Sequence, residues 1–323
     1  MTTAQVEPVP LPGSCSVQWE ERGLPATGSA PVARFWVALE QNGPWGHDAI
    51  AESHLPVEIG GALERAAQGA GGRLLLVRRP GEHADHHDPD ASVTVLVSGG
   101  PPDRPWLLEG EIDDPAILLR LPWQSLGEDD PDAVTEHLPE LEETRTVHLL
   151  VCTNGKRDVC CAVRGRPVAH SAAIQFPGQV WECSHTGGHR FAPTGILLPY
   201  GQVYARLTAE LAEQVLTSGR QGQMPPALNN MMHNRGRSVW DDAGQAAEVT
   251  VRESIGELDL TALLVAPDED LPRASDPRTA RRVVSHRDGR TWHAQMTRVE
   301  GPAVKSSCAK APKPTSTWAT TVQ

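Results

Sequence analysis

Residues 151–206 hold four of the chain's six cysteines, Cys152, Cys160, Cys161 and Cys183, together with the run His185-Thr-Gly-Gly-His189. Thiolate and imidazole are the side chains that suit zinc and iron–sulfur centres. The flanking residues are short apolar runs of strand composition. A fold for this chain therefore has to put ligand-type residues at strand ends and bring them together across more than thirty residues of sequence.

A parallel β-α-β unit meets that requirement. Residues 147–151 read as a buried strand and 179–183 as a second. Between them 167–176 reads as a helix, with Pro167 tolerated near its start and Pro177-Gly178 after its end. A crossover helix makes the two strands parallel, so both carboxyl ends lie at one edge of the sheet, where open α/β sheets carry their sites. Cys152 follows the first strand; Cys183 closes the second, with His185 and His189 beyond it. Asn154-Gly155-Lys156 reads as a loop, and Lys156 and Arg157 favour thiolate beside it. Cys160 and Cys161 are adjacent, so their side chains diverge and one of them joins Cys152. Glycine costs roughly 1 kcal/mol in a helix interior, so Gly187-Gly188 makes the histidines a loop clamp rather than a helical pair. Spacing leaves three readings open: a metal or cluster site, a thiol–disulfide site, or a structural arrangement.

Two more strands, 195–199 and 202–206, form a hairpin turned at Tyr200-Gly201. A helix at 208–216 follows, with Thr208 as N-cap. The order β-α-β-β-β-α is that of a thioredoxin-like sheet, placed at 144–266. Upstream, 15–127 reads as a second α/β domain, with strands near 33–39, 73–78 and 92–97 and a helix at 57–69. Residues 1–14 are expected to be a flexible N-terminus. The acidic stretch 128–143 is expected to be a solvated linker. Residues 267–302 form an extension with a hairpin at Asp288-Gly289, and 303–323 a disordered tail. His83-Ala-Asp-His86-His87-Asp88 reads as a solvated loop, Gly43-Pro-Trp-Gly46 as a turn with a packed Trp45, and Arg235-Gly-Arg237 as a surface turn. Cys15 and Cys308, far from the cluster, read as ordinary thiols.

Composition narrows the function. The net charge of −12 argues against a nucleic-acid or anionic-membrane binder. The start of the chain lacks the pattern of a secretory signal, and no apolar run is long enough to span a bilayer. A cytoplasmic location is expected, where clustered cysteines serve metal binding or catalysis rather than disulfides.

Cys152-Thr-Asn-Gly-Lys-Arg-Asp158 with Cys161, then Ser184-His185-Thr-Gly-Gly-His189-Arg-Phe-Ala-Pro-Thr-Gly, resembles the sucrase/ferredoxin-like family of thioredoxin-like ferredoxins. Trp36 to Glu40, Gly43-Pro-Trp-Gly46 and Gln202-Val-Tyr-Ala-Arg206 are similar to it as well. The resemblance implies a [2Fe-2S] cluster held by Cys152, Cys161, His185 and His189, with Cys160 as the alternative thiolate and Cys183 matching no ligand position. It implies one-electron transfer coupled to protons, and a redox partner protein, reductase or acceptor. No carboxylate pair argues for glycoside hydrolysis despite the family's name. The rival readings are a zinc-binding structural module with the same Cys2His2 set and a thioredoxin-like thiol–disulfide oxidoreductase, although the chain has no Cys-x-x-Cys.

Overall fold

The computed structural model describes residues 11–81, 88, 91–128, 131–269 and 276–323. The expected His83–Asp88 loop falls almost wholly outside them. The chain is mixed α/β. Helix α1 (Cys15–Glu21) precedes strand β1 (Trp36–Glu40), helix α2 (Val57–Gly69) and strands β2 (Arg73–Arg78), β3 (Val93–Gly99) and β4 (Trp106–Ile112). A short helix α3 (Pro131–Thr135) and strand β5 (Leu141–Glu143) lead to β6 (His148–Cys152), α4 (Val159–Gln175), β7 (Val180–Cys183), β8 (Gly195–Leu198), β9 (Gln202–Tyr204) and α5 (Ala209–Gly219). Then come β10 (Asn234–Arg237), α6 (Asp242–Ile255), β11 (Leu263–Pro267), β12 (Thr279–His286), β13 (Thr291–Val304) and β14 (Lys313–Val322).

One ten-stranded sheet, ordered β10-β9-β8-β6-β7-β2-β1-β3-β4-β5, runs through both α/β units. Each unit repeats one plan. β1 is parallel to β2 and antiparallel to β3, which pairs with β4. β6 is likewise parallel to β7 and antiparallel to β8, which pairs with β9. The equivalent strands β2 and β7 meet antiparallel, Val77 opposite Cys183 and Arg78 opposite Glu182, as a two-fold relation between the units requires.

Strand periodicity explains the burial. Successive side chains point to opposite faces. Trp36 and Ala38, Leu75 and Val77, Leu150 and Cys152, Trp181 and Cys183, and Ile196 and Leu198 share one core between the two units. Their neighbours Val37, Leu39, Leu74 and Leu76 pack with Leu63 and Ala67 of α2, while Leu149, Val151 and Val180 pack with Val168 and Ala169 of α4 and with α5. With both faces covered, these strands read as continuous apolar runs. The inner faces approach closely enough for His148 Nε2 on β6 to lie 3.3 Å from Glu109 on β4.

Four expectations change. The crossover helix begins at Val159, not at Pro167, which lies inside it. An interior proline costs roughly 3 kcal/mol, but a buried stripe of Cys161, Arg164, Gly165, Val168 and Ala172 packs the helix onto the sheet. Arg164 and Gly165 in that stripe hide its apolar period. Arg235 and Arg237 lie on buried strand β10, 1% and 2% exposed, rather than on a surface turn. The acidic stretch includes β5 at the sheet edge, with Val134, Leu138 and Leu141 buried in the core. The tail expected to be disordered contains β14, which pairs with β13 in a second, four-stranded sheet, where partly buried Trp318 and Val322 pack by α6. A Thr-rich alternating strand carries too little hydrophobicity to be recognised alone, and its partner supplies the hydrogen bonds.

Candidate metal centre

The loop after β6 is shaped by its own side chains. Asn154 Oδ1 accepts the backbone N–H groups of Lys156 (3.1 Å) and Arg157 (3.3 Å), while its amide nitrogen donates to the Gly46 carbonyl at 3.1 Å. Asp158 then caps α4, accepting the Cys160 N–H at 3.0 Å, a contact worth about 1 kcal/mol. The two cysteines of the pair therefore sit on the first turn of a helix, not in a loop. Adjacent helical residues point about 100° apart. Cys161 is directed to the core that holds Cys152, and its Sγ lies 3.9 Å from His189 Nδ1. Cys160 turns the other way, with its Sγ 3.5 Å from that of Cys15 and 3.2 Å from that of Cys308.

The histidine loop is mounted on the joint between the units. Ser184, just ahead of His185, donates its N–H to the Leu76 carbonyl at 2.8 Å, and its Oγ accepts the Leu76 N–H at 3.1 Å. Gly187 and Gly188 have φ of +79° and +82°, the left-handed region. They turn the chain so that the rings of His185 and His189 stack, 4.4 Å between centroids and 14° between planes. Buried Arg235 secures the loop from β10: its Nη1 donates to the Gly187 carbonyl at 3.1 Å, its Nε to Ser29 Oγ at 3.1 Å, and its Nη2 to the Ser29 carbonyl. A Cβ on Gly188 would come within 2.5 Å of that guanidinium.

Thus Cys152, Cys161, His185 and His189 come together and Cys160 does not join them. The two sulfurs are buried; the two imidazoles are partly buried at the rim, and His185 opens with His47, Arg73 and Arg157 on a cleft of about 510 Å³. Cys152 is held well below the ordinary thiol range, chiefly by the Cys161 thiol against the opposing effect of burial, with His185 and the Thr186 N–H adding to it. Cys161 is correspondingly pushed up by Cys152 and by burial. Burial and the adjacent His185 lower His189 to about 4, so its ring is neutral at pH 7. A thiol shifted toward thiolate and a neutral imidazole are donors of the kind that a metal takes. Cys183, opposite Cys152 in the sheet, is kept a thiol by burial.

The sequence reading missed Arg235, whose role depends on a contact across some fifty residues (Gly187 lies 48 away). It also missed that Cys15, Asp158, Cys160 and Cys308 gather with all their ligand atoms within 4.8 Å of one another, a group able to hold a metal ion.

A β-α-β-β-β-α unit with Cys and His side chains gathered at the carboxyl edge of its parallel strands defines an α/β protein with a candidate metal centre. The sucrase/ferredoxin-like family model matches residues 27–230, and the chain belongs to that family. Neither the curated proteins nor the solved structures compared with it give a match.

Proposed function

We propose that Cys152, Cys161, His185 and His189 hold a [2Fe-2S] cluster and that the protein passes single electrons between a reductase and an acceptor protein. The meeting of these four side chains, drawn from the end of β6, the first turn of α4 and the loop after β7, carries the reading. Such a cluster, when bound, takes up and releases one electron, at a potential above that of an all-cysteine centre because imidazoles replace two thiolates.

The chain's own residues supply the setting. Cys152 and Cys161, 2% and 1% exposed, shut water from the inner side and are closed to a protein disulfide, which weighs against a thiol oxidoreductase. His185 and His189 form the outer side, where an imidazole N–H is positioned to exchange its proton with solvent and so tie proton uptake to reduction. A single tetrahedral zinc would hold its sulfur ligands about 3.8 Å apart, with every ligand pair comparably close. Here neighbour contacts run around the quartet, and among the described residues it is the Cys15 group that closes to within 4.8 Å. Iron, sulfide and zinc assays on one sample decide between a cluster and one zinc ion at this site. A cytoplasmic setting belongs to the same proposal, since clustered free thiols persist in a reducing compartment. Among the described residues no helix is long and apolar enough to cross a membrane.

The test is purification without oxygen, followed by iron and sulfide assays, absorption and EPR. A red-brown protein with about two irons and two sulfides per chain, EPR-active when reduced, is expected. His189→Cys is expected to lower the potential and flatten its pH dependence. Absence of iron and sulfide after anaerobic reconstitution, or a cluster that survives replacement of both Cys161 and His189 unchanged, overturns the reading.

A further inference from the structure

We propose that Cys15, Cys160, Cys308 and Asp158 form a second metal site that takes one zinc ion and clasps the two ends of the chain onto α4. The three sulfurs stand 3.5 Å (Cys15–Cys160), 3.2 Å (Cys160–Cys308) and 3.6 Å (Cys15–Cys308) apart. A disulfide needs about 2.05 Å, whereas thiolates around a tetrahedral zinc stand about 3.8 Å from one another. The sulfurs thus need only a slight outward shift to receive the ion. Both carboxylate oxygens of Asp158 lie 3.8 Å from the Cys15 sulfur. They also accept the N–H groups of Cys160 (3.0 Å) and Cys308 (2.8 Å) and the Ser307 hydroxyl (2.9 Å). A carboxylate has about four acceptor positions; once the Cys15 thiol gives up its proton to bind a metal, the three remaining hydrogen bonds leave one position for the ion.

Three remote segments supply the set: the start of α1, the first turn of α4, and the connection between β13 and β14, which brings Cys308 from 293 residues beyond Cys15. Three thiols from three segments meet at one point, with the Asp158 carboxylate as the strong acceptor beside them. An ion accounts for the arrangement. Soft thiolate donors with one carboxylate select zinc over magnesium or calcium. Cys15 and Cys160 are buried, while Cys308 is only partly buried and marks the entry side. As each Zn–S bond forms, a sulfur that still carries its proton releases it to solvent, and no electron is transferred. Because Cys160 precedes Cys161, the clasp would also hold the turn that presents the Cys161 sulfur to His189.

The test is metal analysis of the full chain purified in zinc-supplemented medium, alongside variants at each site. One zinc per chain is expected, kept in Cys152→Ser and His189→Ala and lost in Cys15→Ser and Cys308→Ser. Cobalt loaded in its place is expected to show the intense absorption of tetrahedral thiolate ligation, again lost in Cys308→Ser alone of the two variants Cys308→Ser and His189→Ala. Because Cys15→Ser removes a buried group, a second measurement uses the wild-type protein: alkylation of Cys308 is expected to be slow and to accelerate when a chelator is added. Zinc unaffected by Cys308→Ser, a Cys160–Cys308 or Cys15–Cys308 disulfide in the native chain, or chelator-independent alkylation would overturn the site. Zinc that follows His189 instead would overturn this proposal and the cluster reading together, whereas loss of iron alone touches only the latter.

Discussion

At the residue scale, the histidine loop depends on a guanidinium rather than on its own sequence. Arg235 reaches Gly187 and Ser29 with separate nitrogens, and a lysine has the charge but not the fork. Burial and then Arg190 lower Arg235, Cys152 and Cys161 partly restore it, and it stands at about 9, so the cation is paid for by these contacts. Arg235→Lys is therefore expected to destabilise the protein by about 1–3 kcal/mol and to speed amide exchange at residues 187–190. Hydrogen-exchange mass spectrometry checks it, and unchanged protection there would remove Arg235 from the account. Cys161 against Cys160 is the same kind of lesson: neighbours in sequence serve opposite faces because they lie on a helix.

At the element scale, α4 fixes the distance between two of the four donors. It carries Cys161, and it crosses the end of β6, which carries Cys152. The approach is closest at Gly165, where a Cβ would come within 2.5 Å of the Cys152 carbonyl oxygen. Glycine to alanine inside a helix ordinarily gains up to about 1 kcal/mol. Here overpacking against rigid backbone, at about 1–3 kcal/mol, outweighs that gain. Gly165→Ala is expected to lower the melting temperature, whereas Gly61→Ala in α2, where the new Cβ meets only the end of Arg65 at 3.1 Å, raises it. Thermal unfolding of both variants decides; equal stabilisation by both would mean that α4 has room to move.

At the scale of the whole molecule, two units of one plan share a sheet and a core, and the joint between them lies directly before His185. Arg78 and Glu182 face each other across that joint with Nη2 to Oε2 at 2.7 Å, side chains 8% and 5% exposed, and Glu182 also accepts the Thr153 hydroxyl at 2.9 Å. Removing one partner of a buried pair leaves an uncompensated charge and costs about 3–5 kcal/mol; replacing both by apolar groups is often close to neutral. Arg78→Ala is expected to shift the urea midpoint down strongly, and Arg78→Met with Glu182→Leu to recover most of it. A single variant as stable as the wild type would show that the two units do not depend on this pair.

The sequence by itself determined the local grammar: strands where apolar residues run, the turn at Tyr200-Gly201, the Thr208 cap, and a Cys152–Cys161 and His185–His189 spacing that places donors at or just beyond strand ends. Those features depend on neighbours a few residues apart. The tertiary structure decided which of two adjacent cysteines faces Cys152, because that needs the start and pitch of α4. It also decided that Arg235 is buried, that residues 313–322 find a strand partner, and that Cys15 and Cys308 meet Cys160. Each of these rests on contacts between segments far apart in the chain, and burial and pairing over such separations leave no periodic trace in the residues that make them.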